Sequence, residues 1–253
     1  MCIRDRYRLI KQLAKALVPN QIIRRNKSTF RNIIYQFYKG NTHACNLCHA
    51  KLKRFIKLAN NDLLCPNCGS LPRTRRLYQI LEEKKLIDGK ILHFSPPQSL
   101  SKKIKQFALV QYTSSDFENE FTADAKYDLT AIPIKNESIN LFIAYHVLEH
   151  IESDITAMKE LFRITKLGGK GLIQTPFKLG NIYEDASIKT PTDRLIHFGQ
   201  KDHVRIYSAE GLSKRLENVG FSVEVLSFVE QTDNYFGFKS KEVVLLVKKT
   251  KNL

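Results

Sequence analysis

The chain of 253 residues lacks several features that would assign it to a class at once. It contains no run of about eighteen uncharged apolar residues, so a membrane-spanning helix is not predicted. Its amino terminus has no apolar stretch ending in small residues, so a signal peptide is not predicted either. Neither an internal repeat nor a low-complexity tract occurs. These absences favour a soluble, cytoplasmic globular protein and leave its oligomeric state open.

Cysteine is scarce, and its placement is informative because four of the five cysteines lie in two Cys-x-x-Cys pairs. The four are Cys45, Cys48, Cys65 and Cys68. In a reducing compartment, pairs at this spacing indicate metal binding rather than a disulfide framework. Four thiolates complete the tetrahedral sphere of Zn²⁺, so we expect a structural zinc in a ribbon or knuckle module, although the same ligands accept iron. His43 and His49 are weaker substitute ligands.

Acidic residues are scarce in only one part of the chain. Residues 1–90 contain 20 lysines and arginines against 5 acidic residues, whereas residues 91–253 contain 21 against 20. A basic segment can face nucleic acid, anionic lipid or an acidic substrate, or it can be merely solvated. Nucleic-acid phosphates are one candidate partner for the basic residues that flank the cysteine pairs. These residues are Lys51, Lys53, Arg54, Lys57, Arg73, Arg75 and Arg76.

The first 40 residues predict a basic amphipathic helical segment. Residues 1–6, MCIRDR, resemble an adapter-derived scar and are not expected to contribute to function. From residue 7 to 39 apolar residues recur at helical spacing, with a break at Pro19. We expect two helices that pack against the rest of the protein rather than lie on a membrane surface.

Residues 41–88 are predicted to form the cysteine module and a linking helix over 71–86, and residues 89–253 a second domain. Strands are predicted at 90–94, 108–113, 139–145 and 170–175, the last after a Gly-Gly turn at 168–169. Helices are predicted at 98–106, 151–165 and 208–218, with a long polar loop before the last of them. Strands 221–229 and 242–249 have no helix between them, which predicts an antiparallel hairpin. The order indicates a doubly wound α/β sheet, mostly parallel.

One segment, residues 127–177, combines an aspartate, a proline-containing loop, the sequence HVLEH and a Gly-Gly pair before a strand. This pattern resembles class I S-adenosylmethionine (SAM)-dependent methyltransferases of the small-molecule type. The segments ILHFSPPQSL and YEDASIKTPTDRLIHFGQKDHVRIY resemble a bacterial branch of that superfamily that also carries two Cys-x-x-Cys pairs. The resemblance covers about residues 43–249. It implies a Rossmann-like fold and SAM as cofactor, but it gives almost no information about the substrate.

The resemblance and the strand order together define a cofactor crevice beyond the carboxyl ends of the strands. Asp116 is the candidate acid for the ribose hydroxyls, and Asp128 with Leu129 resembles the positions that meet the adenine; an ordinary turn is the alternative for each aspartate. The predicted cofactor-binding residues are His93, Phe94, Ser95, Pro96, Asp116, Asp128, Leu129, Tyr145 and His146.

Glycine is missing where this family usually needs it most. The first strand of class I enzymes is followed by a Gly-rich loop that lets the backbone approach the cofactor, whereas this chain continues with Ser95, Pro96 and Pro97. The resembling branch shares this form, which favours a variant pocket. A non-catalytic binding protein on a methyltransferase fold stays open as an alternative.

On the substrate side, His203, Arg205 and His146 are the predicted catalytic residues, with His203 the leading candidate for a general base and His146 the second. Glu149 and His150 are expected to open the following helix rather than to react. Residues of the long polar loop are expected to hold the acceptor: Glu184, Asp185, Arg194 and Gln200. The predicted function is methyl transfer to oxygen of a polar small molecule or glycan, and the runner-up is a zinc-containing RNA methyltransferase.

Overall fold

The structure, a computed structural model, describes residues 27–118, 122–230 and 233–251. The helices expected before residue 27, and the scar, lie outside the described residues. The chain divides into two compact units, of which the first ends at Lys84 and also includes the segment from Val229 to Ser240. The second contains residues 85–228 and the chain from Lys241 onward. Within the described ranges, no helix combines the length and apolar character needed to cross a membrane.

The first unit is built from two short hairpins between two helices. Its elements are α1 (Lys27–Gln36), β1 (Lys39–Ala44), β2 (Lys51–Leu52), β3 (Ile56–Lys57), β4 (Leu63–Leu64) and α2 (Pro72–Glu83). Strands β1 and β2 pair antiparallel, as do β3 and β4. Helix α2 starts with Pro72 in its first turn, as the sequence predicts. Proline is tolerated there because the N–H group that it lacks would have no partner within the helix.

The second unit contains a six-stranded sheet in the order β11-β12-β8-β7-β5-β6. The strands are β5 (Gly89–Phe94), β6 (Val110–Ser115), β7 (Ile139–Tyr145), β8 (Thr165–Gln174), β11 (Phe221–Val229) and β12 (Lys241–Lys249). The four strands β6, β5, β7 and β8 are parallel, and β12 runs antiparallel to β8. The mostly parallel, Rossmann-like α/β fold is therefore confirmed, and its order reverses at β5.

Helices and short strands complete this unit. They are α3 (Gln98–Ile104), a 3₁₀ turn (Leu148–His150), α4 (Asp154–Ile164), β9 (Tyr183–Glu184), α5 (Pro191–Phe198), β10 (Arg205–Ile206) and α6 (Ala209–Val219). Helix α6 begins where the Ser208 hydroxyl caps the Gly211 N–H and ends at Gly220, whose φ of 114° requires glycine. Its apolar face packs in the core with Phe142, Met158 and Leu161.

Two expectations about the second unit are corrected. The polar stretch expected as one loop up to residue 206 contains α5 and the antiparallel pair of β9 and β10. The Gly168–Gly169 pair, expected as a turn, lies inside strand β8. There Gly168 has a φ of 78° and the register with β7 shifts, so the glycines form an irregularity within a continuous strand.

Candidate active site and cysteine cluster

The candidate active site lies at the carboxyl edge of the parallel strands. Phe94 at the end of β5 is level with Ser115 of β6 and Ala144 of β7, so the residues that follow these strands meet at one edge. The order of the strands reverses at β5, and a crevice at such a point is where doubly wound sheets bind ligands. Ser95, Asp116 and His146 therefore share one edge of the sheet.

Ser95 and Asp116 are directly linked. The Ser95 hydroxyl donates to Asp116 Oδ1 at 2.8 Å, and the Ser95 N–H donates to the Ser115 carbonyl at 2.7 Å. Asp116 is only 4% exposed, and its N–H donates to the carbonyl of Ala125 at 3.1 Å. Ser95 has a φ of 45°, a conformation that usually selects glycine. The structure thus places a serine in a backbone conformation that favours glycine, at the position where the resemblance led us to expect a glycine-rich loop.

The other residues predicted to bind the cofactor are placed differently. His93 is fully buried with Nδ1 3.0 Å from the Tyr112 hydroxyl, and burial lowers its pKa to about 3. Its side chain therefore lies inside the protein and faces no crevice, and Phe94 is buried in the core. Asp128 is exposed and its Oδ1 accepts from the N–H and hydroxyl of Thr130, which is the turn considered as its alternative role.

Leu129, Pro96 and Tyr145 are all buried near the ends of these strands. Leu129 packs in the main core cluster, and Tyr145 is the last residue of β7. Their contacts with an adenosyl group, and that of Asp128, stay predictions.

A cluster of imidazole and carboxylate groups follows β7. His146 has a φ of 56°, donates its N–H to the Gln174 carbonyl at 2.7 Å, and holds Nδ1 3.3 Å from Glu149 Oε1. The rings of His150 and His203 meet edge to face with centroids 4.7 Å apart. The structure therefore brings together the two predicted histidines with Glu149 and His150, which were expected only to open a helix.

His203 is almost completely buried, and burial lowers its pKa while the nearby Glu149 carboxylate raises it. The net direction of the pKa shift is downward, which favours the neutral form of the imidazole. A neutral imidazole can accept a proton or bind a metal ion.

Arg205, the third predicted catalytic residue, is occupied by structural contacts. Its guanidinium donates to the carbonyls of Leu148, Ile151 and Glu152, and its Nε donates to Glu184 at 2.8 Å. Four of its five N–H groups are thereby used. This arrangement favours a positioning role, in which Arg205 holds the turn that carries Glu149 and His150, over the catalytic contact expected from the sequence.

A polar cleft of about 950 Å³ lies beside this turn. Of the residues expected to hold the acceptor, Glu184, Asp185 and Arg194 line it, whereas Gln200 does not. Arg205 and Arg215 add positive charge to the same lining. The cleft therefore offers charges of both signs to a ligand.

The four paired cysteines form a cluster in the first unit. Sγ of Cys45 is 3.7 Å from that of Cys68, and Sγ of Cys48 is 3.8 Å from that of Cys65. Thiolates at about 2.3 Å around one tetrahedral ion are separated by about 3.8 Å, so the spacing is compatible with structural zinc and too wide for a disulfide. Hydrogen bonds from the other three cysteines lower the pKa of Cys45.

The two cysteine turns repeat the same backbone pattern. The fifth residue of each turn is in the left-handed region, with φ of 57° at His49 and 73° at Gly69. Its N–H donates to the carbonyl of the first cysteine, at 2.8 Å to Cys45 and 2.9 Å to Cys65. His49 thus has a turn role, and among the described residues the metal-ligand cluster of this unit consists of cysteines.

A buried arginine supports the cluster. Arg75 is 0% exposed, donates to the backbone carbonyl and hydroxyl of Ser70, and lies 4.3 Å from the Phe55 ring centroid. Arg76 is also buried and pairs with Glu230. The phosphate contacts considered for Arg75 and Arg76 are therefore corrected, since both side chains are used inside the unit.

The doubly wound sheet and its polar carboxyl edge define a ligand-binding α/β protein of the class I methyltransferase type. A family described as a methyltransferase domain matches residues 64–226, and the chain belongs to this family. The SAM-dependent methyltransferase resemblance, with SAM as the cofactor of the family, is thereby confirmed.

A relative from Mycolicibacterium smegmatis, described as a probable S-adenosylmethionine-dependent methyltransferase, is 28% identical over 97 residues, which are 38% of this chain and 34% of the relative. The chain therefore matches about a third of that protein. The crystal structure of the cyclase SpnF has 15% identity and a TM-score of 0.50 over 70% of this chain and 82% of its own. The crystal structure of a SAM-dependent methyltransferase from Archaeoglobus fulgidus has 13% identity and a TM-score of 0.49. The match covers 72% of this chain and 95% of that one. The likeness to SpnF shows the fold alone.

Proposed function

We propose that this protein transfers a methyl group from SAM to a hydroxyl group of a polar small molecule or glycan. The observation that carries the proposal is the shared edge of the sheet. There the buried Asp116 carboxylate, linked to Ser95, follows β6, and the imidazole of His146 follows β7. These two strands flank β5 in the sheet of a chain that belongs to a methyltransferase family. This arrangement provides a site for a ribose beside a site for a proton.

The residues present fit the cofactor. Asp116 can accept further hydrogen bonds from ribose hydroxyls because each carboxylate oxygen has two lone pairs, although Ser95 already uses Oδ1. Holding Ser95 at a positive φ costs about 1–2 kcal/mol, and such strain is usually retained at ligand sites. When bound, SAM supplies an electrophilic methyl group on a sulfonium sulfur, and alignment with the acceptor provides much of the rate.

His146 is our candidate for the general base, ahead of His203. Its Nδ1 lies 3.3 Å from Glu149 Oε1, and a carboxylate at this position favours the tautomer with the proton on Nδ1. Nε2 then accepts the proton of the acceptor hydroxyl, and this atom is buried with no hydrogen-bond partner among the described residues. The carboxylate near His146 is the buried Glu149, whereas the carboxylate near His150 is the exposed Asp202, and this burial favours His146 as the base.

The mixed charges of the polar cleft support a polar acceptor. An RNA acceptor is the alternative, and it is supported by the exposed Lys51, Lys53, Arg54 and Lys57 of the first unit. The internal use of Arg75 and Arg76 removes two of the charges on which that alternative relied. RNA binding that weakens steeply with salt would favour it.

Calorimetric titration with S-adenosylhomocysteine tests the proposed function. We expect saturable binding at one site, weakened at least tenfold by Asp116→Asn, which removes a charged acceptor. Asp88→Asn is the matched control, because Asp88 is exposed and precedes β5 at the opposite edge of the sheet. If the wild-type protein does not bind, or if both variants bind equally well, the proposed cofactor site is wrong.

With binding established, transfer of a labelled methyl group to hydroxyl-bearing small molecules, glycans and RNA identifies the acceptor class. His146→Gln should lower kcat with little effect on S-adenosylhomocysteine binding, because the imidazole is assigned to the acceptor proton.

A further inference from the structure

Three side chains beside the cleft lie close together, and two of them are buried without a conventional hydrogen-bond partner among the described residues. Glu149 comes from the turn after β7, His150 follows it, and His203 precedes β10. One ligand-type atom from each lies within 4.8 Å of the others. Glu149 is 1% and His203 4% exposed. Both carboxylate oxygens of Glu149 and Nε2 of His203 have no hydrogen-bond partner among the described residues, apart from the approach of His146 to Glu149.

Such an arrangement is costly in a protein interior. Buried carboxylates and imidazoles are normally hydrogen-bonded, and a buried charge is normally paired or bound to a metal. The imidazole of His146 lies 3.3 Å from Glu149 Oε1 and pairs with this carboxylate when the imidazole is protonated. Glu149 Oε2 and His203 Nε2 still have no hydrogen-bond partner among the described residues. A positive ion between them would satisfy both.

The side chains are held in place by the backbone around them. The Val204 N–H donates to the Glu149 carbonyl at 2.9 Å, which ties the segment of His203 to the turn of Glu149. The guanidinium of Arg205 binds three carbonyls of the same turn. His150 Nδ1 lies 3.1 Å from the Asp202 carboxylate, the contact that commonly orients a metal-binding histidine through its other nitrogen.

We propose that Glu149, His150 and His203 bind a divalent cation of the Mn²⁺, Fe²⁺ or Zn²⁺ type, at a site separate from the cysteine cluster. Two imidazoles and one carboxylate are a ligand set that these ions accept. Ligand atoms at about 2.1 Å from one ion lie about 3.0–4.2 Å apart, so small side-chain rotations suffice from the observed spacing. Three protein ligands leave coordination positions open.

The open positions give the ion a role that rests on the proposed function. An acceptor hydroxyl bound there would lie next to His146, and a cation lowers the pKa of a hydroxyl that it binds. An acceptor with neighbouring hydroxyl groups suits such an ion best, because two oxygens can occupy two open positions. Binding of the cation itself does not depend on methyl transfer and can be tested separately.

Manganese binding tests the site without interference from the cysteines, because Mn²⁺ prefers oxygen and nitrogen ligands to thiolates. The 253-residue chain, loaded with zinc beforehand, is titrated with Mn²⁺ while the free ion is followed by electron paramagnetic resonance. We expect one saturable Mn²⁺ per chain and a melting temperature that rises with Mn²⁺. Glu149→Gln should abolish both, and His203→Gln should weaken binding at least tenfold.

Glu152→Gln is the matched control, since its side chain lies three residues away, is 77% exposed and should leave Mn²⁺ binding unchanged. A cooperative thermal unfolding transition in the absence of Mn²⁺ shows that each variant is folded. Absence of Mn²⁺ binding to the wild type, or binding that survives both Glu149→Gln and His203→Gln, overturns the site. If Mn²⁺ binds and S-adenosylhomocysteine does not, the cation site is supported and the proposed methyl transfer is refuted. If S-adenosylhomocysteine binds and Mn²⁺ does not, only the cation site is refuted.

Discussion

Replacing Arg75 with methionine should unfold the cysteine-containing unit and abolish zinc binding by the four cysteines. All five N–H groups of the guanidinium have acceptors, which are the carbonyls of Leu63, Ser70, Phe236 and Gly237 and the Ser70 hydroxyl. Methionine has a similar length but no donor, so these buried acceptors lose their partner. Even at about 1 kcal/mol for each, the loss is about 5 kcal/mol, which is comparable to the whole stability of a small unit.

The measurement combines urea denaturation with release of zinc to a chromogenic chelator, using the 253-residue chain loaded with zinc. Arg75→Lys should fail as well, because one ammonium group cannot reproduce the planar set of five donors. Arg73→Met is the control, since this neighbouring residue of α2 is only partly buried. Retention of zinc by Arg75→Met, with a free energy of unfolding within about 1 kcal/mol of wild type, would refute the reasoning.

Two further predictions concern stability. His93 has a pKa of about 3 in the folded protein against an ordinary value of 6.5, so below pH 6.5 the unfolded chain binds a proton that the folded chain does not. Through this group, the free energy of unfolding should therefore fall by up to about 1.4 kcal/mol for each unit that the pH is lowered between about pH 6.5 and 3. His93→Gln should reduce this dependence of the unfolding free energy on pH, which denaturation between about pH 7 and 5 measures. Tyr207→Phe should cost about 1–2 kcal/mol in thermal unfolding, because the buried hydroxyl donates to Asp154 Oδ2 at 2.6 Å; an unchanged melting temperature would show that Arg215 alone satisfies this carboxylate.

The parallel strands were predictable because each is a short apolar run that borders a turn, and Ile139–Tyr145 was located to the residue. The strand predicted at 108–113 begins two residues later, at Val110, since residues near a helix end carry little periodic signal. The glycine pair in β8 was misread because glycine marks both turns and strand irregularities, and only pairing with β7 distinguishes them.

The candidate site could be predicted only in part. Sequence reasoning singled out His146, which follows a predicted strand, and His203, which lies in the polar loop, and the structure places both in one cluster. It missed Glu149 and His150 as partners because 52 residues separate His150 from His203, and their contact forms only when the chain folds. The spacing of His146, Glu149 and His150 in HVLEH was the available signal, and it was read as a helix start. Arg75 was misjudged because basic residues are usually exposed.

The segment from Val229 to Ser240 has a consequence for the gene. These residues connect β11 to β12, yet they belong to the cysteine-containing unit and supply two of the carbonyls bound by Arg75. A gene fragment beginning near codon 89 would therefore encode the whole sheet together with an aromatic segment, containing Tyr235, Phe236 and Phe238, that lacks the rest of its own unit. A fragment ending there would encode the cysteines without part of their packing. The two units cannot be exchanged between proteins as contiguous cassettes, and recombination would have to transfer the hairpin connection as well.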